Sequence, residues 1–364
     1  MNQVKVLVAD DSAMMRRNLI KILESDPEIN VVGYARDGED AVVKARELKP
    51  DVVTMDINMP KMDGLSALQI ILSEKICPVL VVSSISQKGT LITLEALELG
   101  AFDCIGKPDG SVSAHLLKIS DELIKKVKQA GIYGMRTFMK HQREKVNAKG
   151  PLPLSRPIIP TAKPGKFKAV CIGISTGGPV TIMDVLPIIP PDINAAIFIV
   201  QHMPPNFTAP FAQRLARECP IKVLEGESMA PVKPGHCYVA KGGTHLTLFE
   251  RPGGEVIIRT PNYPETLFVP SAGVMFESIL EVYGKDTIGV LMTGIGDDGA
   301  DAMVKIRKAG GRTIGESEET AVVYGMPREA FERGGVDVQL PSTKIAKAII
   351  NAVEEPTDKW KNVY

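Results

Sequence analysis

The chain has 364 residues and no net charge, because 43 lysine and arginine residues balance 43 aspartate and glutamate residues. The length is typical of two domains that each bury a core, and the balanced charge excludes a global field that would attract nucleic acid or an anionic membrane. Since no apolar run approaches the roughly 18 residues of a membrane span and the N-terminus lacks signal-peptide features, we expect a cytoplasmic protein without membrane insertion.

Residues 1–124 alternate apolar segments with amphipathic helical patterns. The apolar segments are Val4–Ala9, Val31–Tyr34, Val52–Met55, Val79–Val82 and Phe102–Ile105. Strands that alternate with helices indicate βα units, and the resulting parallel sheet is covered by helices on both faces. We therefore expect a five-stranded, doubly wound parallel sheet of the flavodoxin-like type.

Residues 125–166 predict a linker between two domains. From Lys125 to Lys168 the sequence contains twelve basic residues and one acid, Glu144, and proline is concentrated in the second half. The βα pattern is lost there, and proline disfavours both helices and central strands. We expect a basic, proline-rich tether.

The alternation resumes in residues 167–355, which predict a second α/β domain with a mostly parallel sheet. The strand sequences are AVCIGI, AAIFIVQH and TIGVLMTG. The segment from His236 to Thr260 differs, because HCYVA, HLTLFE and EVIIRT are separated by Gly-rich turns and predict a small antiparallel insert. Residues 356–364 are expected to form a tail.

Five polar side chains lie where four strands of the first predicted sheet end. Asp10 and Asp11 follow the first strand, Asp56 the third, Ser83 the fourth and Lys107 the fifth. Carboxyl ends of parallel strands meet at one edge, where ligands bind, and clustered carboxylates there predict a shared divalent cation such as Mg²⁺. Asp56 could then attack a phosphoryl donor, while Lys107 and Ser83 contact the phosphoryl oxygens.

These residues, with the Met55-Asp56-Ile57-Asn58-Met59-Pro60 loop and the Lys107-Pro108 pair, resemble the receiver domain of two-component response regulators. The resemblance implies that Asp56 is the phosphoacceptor. It also implies that a sensor histidine kinase is the phosphodonor.

The turn Gly173-Ile174-Ser175-Thr176-Gly177-Gly178 follows the first apolar run of the second domain. It could cradle a phosphate, although neither common Gly-rich phosphate spacing is present. Alternatively, Ser175 and Thr176 could cap a helix. A third possibility is that Ser175 is a nucleophile, which would require a histidine base and a carboxylate to orient it.

Only five histidines are available for that role: His115, His141, His202, His236 and His245. His202 ends the strand AAIFIVQH, so we expect it at the same sheet edge as Ser175. His245, in a Gly-rich loop, is the main rival, whereas His236 is expected to be structural. The strand TIGVLMTG ends in GIGDDGAD, where either Asp297 or Asp298 could face the imidazole.

Four motifs together resemble the CheB-type chemotaxis protein-glutamate methylesterases: GISTGG, QHMPP, TGIGDDG and GMPREA. The resemblance implies that Ser175 is the nucleophile, His202 the general base and Asp298 its orienting acid, with Thr176 and Ile295 offering backbone N–H groups to the oxyanion. It further implies hydrolysis of glutamate γ-methyl esters, and deamidation of certain glutamines, on methyl-accepting chemotaxis receptors. A CheA-type kinase would activate this reaction, which uses no cofactor in the esterase domain.

Two departures from the family pattern leave an alternative open. Relatives often carry His-Arg-Pro-Ser-Val-Asp where this chain has Phe268-Val269-Pro270-Ser271-Ala272-Gly273, and often Met in place of Ile295. If the changed stretch lines the substrate groove, the preferred receptor or the substrate class could differ from that of relatives. The stretch is also the only support for the alternative that the protein is a phosphorylation-gated, non-catalytic receptor-binding adaptor. A DNA-binding regulator is disfavoured by the neutral charge and by the lack of a recognisable helix-turn-helix.

Overall fold

The computed structural model describes residues 3–83, 87–107, 120–132 and 167–355. The chain divides into two compact units, Met1–Lys149 and Gly150–Tyr364. Most of the expected linker and the expected tail, residues 356–364, lie outside the described residues. No helix among the described residues is long and apolar enough to cross a membrane.

The first unit contains a five-stranded parallel sheet, as the alternation predicts. Its strands run in the order β2-β1-β3-β4-β5, and every pairing is parallel. The strands are β1 (Val4–Ala9), β2 (Ile29–Ala35), β3 (Val52–Met55), β4 (Val79–Ser83) and β5 (Asp103–Gly106). This order confirms the doubly wound architecture.

Helices connect these strands, and short polar side chains fix where several of them begin. They are α1 (Ala13–Leu23), α2 (Gly38–Leu48), α3 (Gly64–Ser73), α4 (Gln87–Leu99) and α5 (120–132). Ser12, Asp37 and Asp63 each accept a backbone N–H of the first turn, as N-cap residues do. Helix α5 reaches residue 132, beyond the expected domain end at residue 124.

The second unit is built on a seven-stranded sheet in the order β14-β13-β12-β6-β7-β9-β8. The strands are β6 (Lys168–Ile174), β7 (Ala195–Gln201), β8 (Lys222–Glu225), β9 (His236–Val239), β10 (Thr247–Glu250), β11 (Val256–Arg259), β12 (Thr287–Leu291), β13 (Arg312–Glu316) and β14 (Val338–Leu340). The helices are α6 (Gly178–Thr181), α7 (Pro205–Glu218), α8 (Ala272–Tyr283), α9 (Ala300–Lys308), α10 (Met326–Glu332) and α11 (Ser342–Glu354). All pairings within the seven-stranded sheet are parallel.

The expected antiparallel insert is smaller than the sequence suggests. Strands β10 and β11 form a separate antiparallel pair, but HCYVA becomes β9, which lies in the main sheet parallel to both β7 and β8. Its side chains after His236 are buried. HCYVA therefore belongs to the central sheet because both of its edges are paired there.

The core of the second unit lies between the main sheet and its helices. Phe198 on β7 is fully buried and stacks on Tyr238 of β9, with ring centroids 5.6 Å apart. Phe276 of α8 is also fully buried, in the same hydrophobic cluster. This packing fixes α8 against the strands whose ends carry the predicted catalytic residues.

Replacing Phe198 by alanine should lower the free energy of unfolding by about 3–5 kcal/mol, because it removes a buried ring and leaves a cavity. The matched control is Phe249→Ala, since Phe249 is 37 % exposed and its ring centroid lies 3.6 Å from the guanidinium carbon of Arg259. The control should cost at most about 1 kcal/mol. Denaturant unfolding of the full chain by circular dichroism measures both, and equal losses would contradict the core assignment.

Candidate functional sites

Ser175 lies directly beyond the carboxyl end of β6, near the centre of the second sheet. The chain continues from β6 to β7 on one side, whereas β12 pairs on the other, so Ser175 sits where a ligand crevice opens in parallel sheets. Its backbone N–H donates to the carbonyl of Thr293, beyond β12, at 2.9 Å. The Ser175 residue is 5 % exposed.

His202 follows β7 and is placed beside Ser175 by the strand register. Ile174 pairs with Gln201, and the backbone N–H of His202 donates to the carbonyl of Ile174 at 3.2 Å. The imidazole Nε2 is 2.8 Å from Oδ2 of Asp298. Nδ1 is buried without a hydrogen-bond partner among the described residues, so the Ser175 hydroxyl is not hydrogen-bonded to it in this structure.

Asp298 is held by the N-terminus of α8 as well as by His202. Its carboxylate accepts hydrogen bonds from Ser271 Oγ at 2.7 Å, from the N–H of Ala272 at 2.6 Å and from the N–H of Gly273 at 3.0 Å. Burial raises the pKa of this carboxyl, but the bonds and the charge of His202 outweigh burial and lower the pKa to about 2. The group is therefore a carboxylate at neutral pH.

The structure resolves which of the two neighbouring aspartates faces the imidazole. The Asp297 side chain is 62 % exposed and pairs with Arg333 at 2.7 Å, whereas Asp298 faces His202. The Gly-rich loop after β12 thus turns one carboxylate inward and the other outward.

The two rival histidines are engaged elsewhere. His245 is fully buried; its Nδ1 accepts the N–H of Ser271 at 3.2 Å and its Nε2 donates to the carbonyl of Pro264 at 2.9 Å. His236 lies on β9, with Nδ1 3.0 Å from the carbonyl of Pro234. Both have structural contacts, and within the described parts of the chain neither is paired with a carboxylate.

The alternative that Ser175 or Thr176 caps a helix finds no support. Helix α6 begins at Gly178 with Gly177 as its N-cap and without a side-chain capping bond. The helix has only four residues. Because so short a helix has little dipole, the hypothesis that this turn binds a phosphate is also weakened.

The two Gly-rich turns that carry Thr176 and Ile295 are packed closely together. The carbonyl of Thr176 accepts the Thr293 hydroxyl at 2.8 Å. A Cβ at Gly294 would lie 2.2 Å from Sδ of Met326 and 2.8 Å from Cβ of Ser175, so a side chain at residue 294 would displace the turn that bears Ser175. Thr176 is buried and Ile295 is half-buried.

Three residues contact this site in ways that the sequence does not indicate, although two of them belong to the changed stretch 268–273. Phe268 stacks on the His202 ring, with centroids 4.1 Å apart and planes inclined by 8°, and Ser271 bonds to Asp298. The third, Glu316, accepts the N–H of Thr293 at 2.8 Å. Glu316 ends a strand at the same sheet edge, a signal that could have found it, whereas Phe268 and Ser271 reach the site from a distant loop.

The first unit brings the predicted acid cluster together. Lys107 Nζ lies 2.8 Å from Oδ2 of Asp10 and 2.6 Å from Oδ2 of Asp56. Burial raises the pKa of Asp56, as does the charge of Asp10, while Lys107 opposes both. Ser83, fully buried, ends β4, and its carbonyl accepts the N–H of Lys107 at 2.7 Å.

The donor set fits a hard divalent cation. Asp10, Asp11 and Asp56 each offer a carboxylate oxygen, and these atoms all lie within 4.8 Å of one another. Carboxylate oxygens are the ligands that Mg²⁺ prefers, and a cation would relieve the repulsion among them. Gly64 permits this edge to form, because a Cβ there would lie 2.0 Å from the carbonyl oxygen of Asp56.

The fold and sites define a class of protein: a receiver-type unit followed by an α/β unit with a serine, histidine and carboxylate at one sheet edge. Family models match both units, the response regulator receiver domain over residues 6–116 and the CheB methylesterase over residues 170–349. The chain belongs to the CheB methylesterase family.

Similar proteins cover almost the whole chain. A protein-glutamate methylesterase/protein-glutamine glutaminase 3 of Syntrophomonas wolfei is 55% identical over 354 residues, covering 96% of this chain and 99% of the relative. A Pyrococcus horikoshii protein-glutamate methylesterase/protein-glutamine glutaminase is 41% identical, covering 97% and 94%. The crystal structure of the Thermotoga maritima CheB methylesterase catalytic domain is 37% identical with a TM-score of 0.51, covering 52% of this chain and 100% of that one.

The buried carboxyl of Glu316 should make stability depend on pH. Burial raises the pKa of Glu316 from its ordinary 4.5 to about 7, so the folded state holds this proton more tightly than the unfolded state. The contribution of Glu316 to the free energy of unfolding is therefore greatest below pH 4.5. It falls by about 3 kcal/mol in all as the pH rises to 7 and beyond.

Glu316→Gln should remove that decline, because glutamine still offers an oxygen to the N–H of Thr293 and has no charge to bury. The matched control is Glu318→Gln, at an exposed position. Denaturant unfolding at pH 5 and pH 8 compares the variants with wild type. Parallel losses of stability in wild type and Glu316→Gln would show that Glu316 does not titrate as described.

Proposed function

We propose that this chain hydrolyses glutamate γ-methyl esters, and deamidates certain glutamines, on methyl-accepting chemotaxis receptors. The proposed reactions are those in the names of the similar proteins, which are protein-glutamate methylesterase/protein-glutamine glutaminases. The observation that carries it to this chain is the 2.8 Å contact between His202 Nε2 and Asp298, beside the turn that bears Ser175. A hydrolase of this kind needs a nucleophile, a base and an oriented carboxylate.

In the proposed mechanism the Ser175 hydroxyl attacks the side-chain acyl carbon of the substrate. Nδ1 of His202 takes the hydroxyl proton, since Nε2 is engaged by Asp298, and returns it to the departing methanol or ammonia. Water then attacks the acyl carbon of the acyl-enzyme, and Nδ1 of His202 takes a proton from it. The bond to Ser175 Oγ breaks, the proton passes to that oxygen, and the product leaves with a free glutamate carboxyl group. Asp298, ionised because its pKa is lowered to about 2, accepts the Nε2–H of His202 and so keeps Nδ1 of the neutral imidazole unprotonated. It also stabilises the imidazolium once that forms.

The oxyanion is proposed to accept hydrogen bonds from the backbone N–H groups of Thr176 and Ile295. Thr176 follows Ser175 in the same Gly-rich turn, and Ile295 belongs to the neighbouring Gly-rich turn after β12. Backbone donors fixed in this way need no reorganisation as charge develops. The change from Met to Ile at residue 295 is compatible with this role, because only the backbone acts.

The contacts of residues 268–273 remove the one observation that favoured a non-catalytic adaptor. It depended on the changed stretch 268–273, yet residues of that stretch contact His202 and Asp298 directly. A loop that supports both residues favours catalysis.

The receiver unit is proposed to control this reaction. Asp56 would accept a phosphoryl group from a CheA-type histidine kinase, with Asp10, Asp11 and Asp56 holding Mg²⁺, which would neutralise phosphoryl charge when bound. Lys107 and Ser83 would contact the phosphoryl oxygens. Phosphorylation adds about 1.5 to 2 negative charges at Asp56. The location proposed for the protein is the cytoplasm, where such a kinase and the receptor signalling regions meet.

Substitution at Ser175 and at the two aspartates tests the mechanism. Ser175→Ala should abolish methanol release from methylated receptor fragments, and Asp298→Asn should slow it by about a thousandfold or more, because the imidazolium loses its carboxylate. Asp297→Asn is the matched control and should stay within about threefold of wild type, since that side chain points away from His202. Equal effects at Asp297 and Asp298 would contradict the mechanism.

Phosphorylation at Asp56 should raise the rate. A small-molecule phosphodonor with Mg²⁺ is expected to increase methanol release by about fivefold or more, a typical coupling between two sites. Asp56→Asn should remove the increase. An increase of the same size in the Asp56→Asn protein would place the phosphoacceptor elsewhere.

A further inference from the structure

The loop that leads into α8 contacts the imidazole of His202 through Phe268. The ring centroids are 4.1 Å apart and the planes are inclined by 8°, so the phenyl face covers one face of the imidazole. The His202 side chain is only 5 % exposed. Because phenylalanine has no polar side-chain atom, packing of the two faces is what this residue contributes.

Hydrogen bonding alone does not fix the plane of the imidazole. The bond to Asp298 holds Nε2, but Nδ1 has no hydrogen-bond partner within the described parts of the chain. A ring held by its Cβ–Cγ bond and by one hydrogen bond at Nε2 can still rotate about the line that joins these two points. A flat surface parallel to the ring opposes this rotation, because the rotation loses contact on one side and creates a clash on the other.

The other end of the same loop fixes the carboxylate partner. Ser271, Ala272 and Gly273 all donate to Asp298, and the backbone N–H of Ser271 is itself held by the buried His245. Residues 268–273 therefore contact the imidazole face at one end and the carboxylate at the other. A shift of this loop would displace both groups together.

We infer that Phe268 is a positioning residue: its stacked ring sets the plane of the His202 imidazole so that Nδ1 faces the Ser175 hydroxyl during the reaction. The inference rests on the proposed function, because it takes His202 as the base. A misplacement of about 1 Å can cost about a hundredfold in rate. The loss should fall on kcat and not on KM, because Phe268 acts through His202 and not on the substrate.

The test compares Phe268→Ala, Phe268→Leu and Phe268→Tyr in the full-length protein, with Leu267→Ala as a neighbouring control because Leu267 is 66 % exposed. Methanol release from methylated receptor fragments gives kcat and KM. We expect kcat to fall by about tenfold to a hundredfold in Phe268→Ala and Phe268→Leu, with KM within about twofold. Phe268→Tyr, which keeps the flat ring, and Leu267→Ala should stay within about threefold of wild type.

A second readout follows the imidazole itself. With only five histidines in the chain, nitrogen NMR of ¹⁵N-histidine protein can resolve His202, which a His202→Gln variant assigns. Wild type should show one tautomer, with the proton on Nε2, and ring C–H signals shifted upfield by the phenyl face. Removing the phenyl ring abolishes the upfield shift by itself, so the orientation of the imidazole is read from its ¹⁵N signals. These should broaden or split in Phe268→Ala and Phe268→Leu, where the ring samples several orientations, and stay as in wild type in Phe268→Tyr.

Three results would overturn the inference: an unchanged kcat in Phe268→Ala, an effect confined to KM, or an equal loss in Leu267→Ala. Sharp ¹⁵N signals of His202 in Phe268→Ala, at the wild-type positions, would overturn it as well. The NMR measurement needs no receptor, so it separates the two proposals. A wild-type protein that releases no methanol contradicts the proposed function, whereas a His202 signal that depends on Phe268 still supports positioning by the stack.

Discussion

The second unit depends on one interaction, the burial of the Asp298 carboxylate at the N-terminus of α8. Removing a carboxylate from water opposes its ionisation, yet the pKa of Asp298 is lowered to about 2. Donors from α8 and from His202 surround the carboxylate and outweigh its burial, and the helix dipole favours a negative charge there. The same contacts join the loop after β12, the start of α8 and the residue after β7. Ser175 follows β6, the strand that lies between β7 and β12.

Much of the fold could be predicted because parallel sheets carry a strong local signal. Buried strands read as continuous apolar runs between amphipathic helices, so all five strands of the first unit and the parallel character of the second were correct. HCYVA was misassigned to an antiparallel insert, because Gly-rich turns nearby suggest hairpins. Whether a short strand pairs with β7 and β8 or with β10 depends on tertiary packing, which a sequence of five residues does not encode.

Some residues of the candidate sites could also be predicted from the sequence, whereas others could not. Residues at strand ends could be predicted, since register alone brings Ser175 beside His202 and Asp10 beside Asp56; their chemical roles stay predictions. The choice between Asp297 and Asp298 required the structure, because adjacent residues in a Gly-rich loop can point in opposite directions. Phe268 and Ser271 reach His202 and Asp298 only through the packing of α8, so no spacing in the sequence indicates those contacts.

The most direct test of the account is the labelling of the full-length protein by a fluorophosphonate, which reacts with activated serine hydroxyls and needs no receptor. The account predicts a single adduct at Ser175, located by peptide mass spectrometry, which forms much more slowly in Asp298→Asn than in wild type. An adduct on another residue, or labelling of Asp298→Asn at the wild-type rate, would contradict the claim that Asp298, acting through His202, activates Ser175.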